Sequence, residues 1–194
     1  MKIIGIDYGS KLAGTTVIAY NMGDGIRLER SKKNQDADQM IIDFVAEYNP
    51  QVIGIDAPLS LPGVYTGLVG FEDYHYRACD KALKAMSPMF LGGLTARAMK
   101  LRSSIEKGCA KVLEVYPVMT GKALGLTAFG YRKKDVDYGA ILTKMQVEGY
   151  EMVSDGSVNT SHDLDAILAL HALDRVGSAN EKRIGSPEEG VIYY

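Results

Sequence analysis

The sequence predicts an α/β fold built on a mixed sheet of five strands. Residues 2–20 contain two β-rich runs joined by a glycine-containing turn, which is typical of a hairpin. Residues 51–58 repeat the pattern of the first run, with an apolar strand, a glycine, an isoleucine and then an aspartate. Between these segments, residues 36–48 carry apolar side chains at helical spacing. A hairpin, a helix and a returning strand indicate a sheet with a crossover connection.

The remaining elements follow from turn signals and periodicity. Gly23-Asp24-Gly25 predicts a turn into a third antiparallel strand at 26–29, and the helix at 36–48 stops at Asn49-Pro50. The fourth and fifth strands are predicted at 52–56 and 111–115. Residues 57–71 are expected to form a long loop. Helices are predicted at 72–86, 95–107, 118–126, 135–147 and 161–176.

Length and composition limit the class of protein. The 194 residues, 46% hydrophobic and 24% charged, favour one domain over 1–194, with a helical insertion around 57–108. A formal net charge of −2 provides no global basic field, so contact with nucleic acid would need local basic patches. Cys79 and Cys109 stand alone, which fits a reducing compartment. No apolar run approaches the roughly 20 residues that span a bilayer. We therefore expect a cytoplasmic protein without a membrane partner.

Four acidic residues stand out by their surroundings. Asp7 and Asp56 end apolar strands, Glu114 lies inside one, and Asp165 belongs to an almost wholly apolar helix, with His162 three residues before it. Carboxylates in apolar settings are costly unless a cation or hydrogen bonds compensate them. With no matching run of arginines, the pattern favours a hard divalent cation, Mg²⁺ or Mn²⁺. Two such ions can activate water and stabilise the leaving oxygen of a phosphodiester.

Each of these residues also has an ordinary structural interpretation. Asp7 could form a turn, Asp56 could cap a loop, and Glu114 could point to solvent from an edge strand. Acids in the first turn of a helix complement the helix dipole, and this is the favoured interpretation of Asp163. His162 could be an ordinary N-terminal helix residue. The joint order of the acids along the chain, rather than any single residue, supports the metal site.

The order of elements resembles the RNase H-like fold, in which the strand order is 3-2-1-4-5 and helices cover both faces. GIDYGS resembles the first catalytic strand of that superfamily, and HDLDA at 162–166 resembles the final helix of RuvC-type resolvases. More narrowly, GIDYGSKLAG, IGIDAPLSLP, RACDK, LEVYP and DLDAILALHAL together resemble the "domain of unknown function 429" family of predicted nucleases. The resemblance implies a site with two Mg²⁺ or Mn²⁺ ions. Its metal-binding acids would be Asp7, Asp56, Glu114 and Asp165.

Basic residues provide a secondary signal for a nucleic-acid substrate. Several lie at helical spacing, and Arg132, Lys133 and Lys134 form a compact cluster that a phosphate backbone could contact. A solvated helix face is the alternative interpretation of each patch. The residues expected to bind substrate are Lys11, Arg77, Lys81 and Arg97.

The first functional hypothesis is a metal-dependent nuclease, in which His162 positions or deprotonates water. The second is a non-catalytic module that binds nucleic acid or protein on the same fold. The third is an ATP-dependent phosphotransferase of the sugar kinase and actin type, because GIDYGS also resembles a phosphate-binding hairpin. The chain is short for that class and has no second glycine-rich phosphate loop. A homodimer is also expected if the apolar residues 191–194 form an exposed strand.

Overall fold

The computed structural model describes residues 1–108, 110–147, 149–150 and 158–194, so that Cys109 lies outside the described residues. Seven strands of the described residues form one mixed sheet in the order β3-β2-β1-β4-β5-β7-β6. The strands are β1 (Ile3–Asp7), β2 (Val17–Asn21), β3 (Ile26–Arg30), β4 (Val52–Asp56), β5 (Lys111–Val115), β6 (Arg183–Ser186) and β7 (Gly190–Tyr193). Strands β1 to β3 are antiparallel neighbours, whereas β4, β5 and β7 continue parallel to β1.

The order of the first five strands is the predicted 3-2-1-4-5, but a sheet of only five strands is wrong. A C-terminal hairpin adds β7 beside β5, with β6 as the outer strand. Each of the two strands has only four residues, and β6 contains one large apolar side chain, Ile184, so the period-2 signal is weak. The expectation that residues 191–194 form an exposed edge for a dimer is also wrong, because β7 pairs on both sides.

The helices are α1 (Ala37–Tyr48), α2 (Ala78–Leu83), α3 (Pro88–Leu91), α4 (Gly93–Ile105), α5 (Pro117–Ala123), α6 (Tyr138–Val147) and α7 (Ser161–Asp174). Helix α2 is much shorter than the predicted 72–86. The carboxylate of Asp73 accepts hydrogen bonds from the backbone N–H groups of His75 and Tyr76, which makes a turn instead of a helix. At the other end, Lys84 has a left-handed backbone that ends α2. No helix of the described residues is long and apolar enough to cross a membrane.

Helices cover both faces of the sheet, as predicted. Helices α5, α6 and α7 pack on one face, where alternate strand residues such as Leu113 and Val115 join their core. Helices α1 and α4 pack on the opposite face, with Ile53, Ile55 and Val112. Because successive strand residues point to opposite faces, this assignment fixes the direction of each acidic side chain at the strand ends.

Helix α7 is buried along most of its length and lies very close to β1. A Cβ atom on Gly5 would come within 2.2 Å of the backbone nitrogen of Leu170, so only glycine permits this approach. Thr160 and Asp163 form a capping box that begins the helix, and Asp163 also pairs with Arg30 at 2.7 Å. The structural interpretation of Asp163 therefore agrees with its observed contacts. The close packing of α7 carries Asp165 toward the carboxyl ends of β1 and β4.

Candidate metal centre

Three aspartates from three different elements meet at one end of the sheet. Asp7 and Asp56 are the last residues of β1 and β4 and lie directly opposite each other in the parallel register. Both share the face of Gly5 and Gly54, which is the face that α7 covers. Each of Asp7, Asp56 and Asp165 offers an oxygen, and these oxygens lie within 4.8 Å of one another. The sequence therefore folds so that three carboxylates converge on one point.

Burial and mutual repulsion make the charged forms of these aspartates costly. Burial, followed by the charges of Asp7 and Asp165, raises the pKa of Asp56 well above its usual range. Burial raises the pKa of Asp165 to about 6, although Arg132 and Tyr131 act in the opposite direction. Burial also raises the pKa of Asp7. The side chains around the cluster therefore leave part of its negative charge uncompensated.

This donor set fits a hard divalent cation. Carboxylate oxygens are the ligands that Mg²⁺ and Mn²⁺ prefer, and a bound cation would offset the burial that raises the three pKa values and the repulsion that adds to it at Asp56 and Asp165. The residues able to hold the ion are Asp7, Asp56 and Asp165. His162 lies beside them, with its Nδ1 2.7 Å from Asp7 Oδ2. That hydrogen bond raises the pKa of His162. Its side chain is 43% exposed, so it can exchange protons with solvent.

The structure places Glu114 outside this group. Glu114 pairs in register with Ile55 rather than with Asp56, so its side chain points to the opposite face of the sheet. There, both carboxylate oxygens accept hydrogen bonds from Arg77, at 2.6 and 2.7 Å, and one also accepts from the backbone of Leu59. Glu114 is therefore held by a buried salt bridge, in contrast to the predicted role as a metal ligand.

Arg77 does not have the surface position that substrate binding would require. Its side chain is 0% exposed, and it also pairs with Asp80 at 2.7 Å and donates to Ser60 Oγ at 2.8 Å. The guanidinium thus joins α2 to β5 and to the loop after β4. Among the described residues, Arg77 therefore compensates two buried acids, Asp80 and Glu114.

The other three predicted substrate-binding residues lie outside the aspartate cluster. Lys11 pairs with Asp36, and Lys81 pairs with Asp73, with both lysines exposed. Arg97 pairs with Asp38 at 2.7 Å and donates to the backbone oxygen of Gly9, just after β1. Tyr8 donates to the same Asp38 at 2.6 Å. Arg97 therefore contacts the turn that follows Asp7.

Two residues that contact the cluster were absent from the predicted site. Tyr131 donates its hydroxyl hydrogen to Asp165 Oδ1 at 2.7 Å, and Arg132 Nη2 lies 3.1 Å from Asp165 Oδ2. The basic run at 132–134 was a visible signal, but nothing in the sequence connects it with a helix thirty residues later. Arg132 has a left-handed backbone, and its side chain is 44% exposed, so it borders both the carboxylates and solvent.

A pocket of about 380 Å³ opens beside the aspartates. Its polar lining contains the three aspartates, His162, Arg132 and Ser161, together with Asp80 and Glu114, which are both paired with Arg77. Its other walls come from the segment between β4 and β5, from α5 and from β7. These walls are mostly apolar and include Met86, Leu91, Leu94, Tyr116, Val118 and Ile192. The site thus combines a metal-binding end with an apolar recess.

Comparison with protein families places the N-terminal part of the chain. Residues 5–90 match the family described as "Protein of unknown function (DUF429)". This match confirms the resemblance that the sequence motifs predicted. The DUF429 match contains Asp7, Asp56 and Arg77, whereas Asp165 lies beyond it.

Comparisons with curated proteins and with solved structures add little about activity. No curated protein matches the chain significantly. Among solved structures, the chain is similar to the Thermus thermophilus RuvC structure, with 13% identity and a TM-score of 0.43. The alignment covers 91% of this chain and 97% of that one. The aspartate geometry is therefore the observation that bears on function.

Proposed function

We propose that this protein is a divalent-metal-dependent hydrolase that cleaves phosphodiester bonds in nucleic acid. The observation that carries the proposal is the convergence of Asp7, Asp56 and Asp165 within 4.8 Å, with too little positive charge around them. Structural carboxylates are normally paired with cations of the protein, as Glu114 is with Arg77. A cluster that remains under-compensated is typical of a site completed by a bound cation.

The residues of this chain would divide the work as follows. Asp7, Asp56 and Asp165 would hold Mg²⁺ or Mn²⁺, which when bound polarises a phosphate oxygen and lowers the pKa of water. His162 is fixed by Asp7 at one ring nitrogen and is open to solvent, so it can accept or return a proton near the site. Arg132 lies at the mouth of the site and supplies a guanidinium that matches a phosphate group.

The free protein offers three carboxylates for metal ions, whereas the sequence predicts four. With Glu114 held by Arg77, we propose that the aspartates bind one ion before substrate arrives. A second ion, as the sequence predicts, would then take part of its ligand set from the substrate phosphate. This arrangement fits a two-metal reaction in which the substrate completes the site.

The local charge around the cluster favours a phosphate-bearing polymer. Arg132 lines the pocket, and the two residues that follow it, Lys133 and Lys134, are exposed. A run of three consecutive cations therefore begins at the pocket. Phosphate contacts of this kind are sequence-independent and depend on salt. We propose that this short basic segment, rather than Lys11 or Lys81, contacts the substrate backbone.

Calorimetric titration of Mn²⁺ into wild type and Asp7→Asn tests the proposal. We expect wild type to bind one ion, Asp7→Asn to lose that binding, and the exposed Asp43→Asn to behave as wild type. Labelled single-stranded, duplex and branched oligonucleotides are then incubated with wild type in Mg²⁺ and in Mn²⁺. Cleavage that requires metal and disappears in Asp7→Asn supports a nuclease. Binding of oligonucleotides without cleavage would instead support the binding-module hypothesis.

A further inference from the structure

We infer that the recess beside the aspartates receives one unstacked nucleotide unit, with its base against the apolar wall and its phosphate toward Arg132. The inference rests on the proposed function, and it specifies the form in which the substrate is bound. A nucleotide at a strand end, in a flexible single strand or free in solution can offer an unstacked base together with its phosphate. A paired and stacked nucleotide within a regular duplex does not.

The two ends of the pocket have opposite character, as a nucleotide does. One end contains the aspartates and Arg132, which suit a phosphate with its metal ion. The rest of the lining has no lysine or arginine and consists mainly of apolar side chains such as Met86, Leu91, Leu94 and Val118. Its two acids, Asp80 and Glu114, are both paired with Arg77. An uncharged, flat base gains free energy by burying its faces against such side chains, whereas a second phosphate does not.

The size of the recess agrees with a single nucleotide. A volume of about 380 Å³ lies near the lower end of the range for small-ligand sites. A base inside a duplex is covered on both faces by its neighbours and cannot enter a walled recess without leaving the stack. The walls of this recess come from the β4–β5 segment, α5 and β7, so they surround the ligand rather than form a flat surface.

The rim of the recess is accessible to solvent, and its side chains can contact different bases. Met86 lines the pocket but is 61% exposed, and its thioether can adapt to different bases. Tyr116 adds a half-buried phenol that can stack or donate a hydrogen bond to a base edge. Neither residue selects one base by a fixed pair of hydrogen bonds. We therefore infer a site that requires an unstacked base but is tolerant of its identity.

Binding measurements with tryptophan variants test this inference. Leu91→Trp narrows the recess from its wall, and Met86→Trp narrows it from the exposed rim without disturbing the core. Val69→Trp, at a residue that is 99% exposed and outside the pocket lining, is the matched control. Each variant is titrated with Mn²⁺ alone, and then with a labelled 12-nucleotide single strand, its duplex and a nucleoside monophosphate in the presence of Ca²⁺.

We expect wild type to prefer the single strand to the duplex. Because the indole occupies the space that the base would fill, both pocket variants should bind the single strand about tenfold more weakly, which is on the order of one lost base contact. Their Mn²⁺ affinity should remain within about twofold, and Val69→Trp should match wild type. Competition by the monophosphate at equal affinity would identify the free nucleotide as the ligand, whereas tighter binding of the oligonucleotide would identify a strand.

Equal binding of single strand and duplex, with no effect of either pocket variant, would overturn the inference. If Mn²⁺ still bound to wild type in that case, the proposed metal-dependent function would stand. If wild type bound no Mn²⁺ while the pocket variants still weakened nucleotide binding, the recess would be established and the metal proposal would fail. Unchanged melting temperatures of Met86→Trp and Val69→Trp ensure that the comparison reports on the pocket.

Discussion

Arg77 contacts both carboxylate oxygens of Glu114, at 2.6 and 2.7 Å, and both side chains are buried. The pair joins α2 to β5 across the face opposite to the three aspartates. The same guanidinium also contacts Asp80, so one buried cation serves two buried acids. The negative charge of Glu114 is thus balanced by a cation of the protein, whereas the charge of the three clustered aspartates is balanced only in part.

Breaking this pair should lower stability without removing the metal site. We expect Arg77→Met to lower the free energy of unfolding by about 3–5 kcal/mol, because it leaves the buried carboxylates of Glu114 and Asp80 without their cation. Glu114→Gln should lower it by less, because Arg77 keeps its pair with Asp80. The double variant Arg77→Met/Glu114→Leu should lose less than the sum of the two. Urea denaturation measures these values. Wild-type stability of Glu114→Gln together with lost Mn²⁺ binding would show that Glu114 is a ligand.

Removing one aspartate of the cluster should stabilise the metal-free protein. At pH 8, Asp56→Asn relieves both burial of a charge and repulsion from Asp7 and Asp165, so the free energy of unfolding should rise by about 1 kcal/mol or more. At 100 times its dissociation constant, Mn²⁺ should stabilise wild type by about 2.7 kcal/mol and should not stabilise Asp56→Asn.

Differential scanning calorimetry with and without Mn²⁺ separates these two effects. Asp43→Asn, which changes an exposed acid of α1, is the control and should show neither. A fall in metal-free stability in Asp56→Asn would mean that the carboxylate is already well compensated by the protein, in conflict with a cation site.

The pH dependence of stability should report on Asp165. Its pKa is about 6 in the folded protein, above the ordinary value of 3.8, so the folded state binds more protons between these values. The Asp165 contribution to stability is therefore greatest below about pH 4 and decreases as pH rises to about 6. Subtracting the unfolding free energies of Asp165→Asn from those of wild type isolates this slope.

Saturating Mn²⁺ should reduce the slope due to Asp165, because the ion stabilises the charged carboxylate that the proton otherwise neutralises. We expect Mn²⁺ affinity itself to fall as pH drops below about 6, since protons and metal compete for the same oxygens. The pKa of Asp165, about 6, lies within the range from about pH 5 to about pH 7. An Mn²⁺ affinity that did not change across this range would argue against Asp165 as a ligand.

The close approach of α7 to β1 should make Gly5 intolerant of a side chain. In Gly5→Ala, the new methyl group would lie 2.2 Å from the backbone nitrogen of Leu170, so the helix must move away from the sheet. We expect a loss of about 3 kcal/mol or more in the free energy of unfolding, and weaker Mn²⁺ binding because Asp165 moves with α7.

Gly93→Ala is the matched control for that substitution, because its Cβ meets nothing within 4 Å. It should leave both stability and Mn²⁺ affinity close to wild type. If Gly5→Ala lost stability but retained full Mn²⁺ affinity, the position of Asp165 would not depend on this contact.

The sequence predicted the parts of the fold that have strong local signals. The aspartates at the ends of β1 and β4 were visible because each follows an apolar run and a glycine, and parallel pairing then brings them together. The apolar surface of α7 likewise predicted a helix buried against the sheet, as observed. These features depend on periodicity within a short window, which a single sequence records well.

The features that were missed depend on contacts between distant residues. Glu114 looks like a metal ligand in its strand, but its partner Arg77 lies 37 residues away, and its register with Ile55 sets the face to which it points. The position of Arg132 beside Asp165 is of the same kind. The apolar run at 191–194 was visible as a possible strand, but its pairing with β5 on one side and β6 on the other could not be inferred from a local pattern.

The late position of β7 in the chain has a consequence for synthesis. A ribosome releases β1 to β5 well before residues 190–193, so the outer edge of β5 has no neighbour while the nascent chain folds. Backbone groups of Glu114 and Val115, which β7 later pairs with, are then open to pairing with another chain. The vulnerable period of this protein is therefore the interval before its final strand emerges.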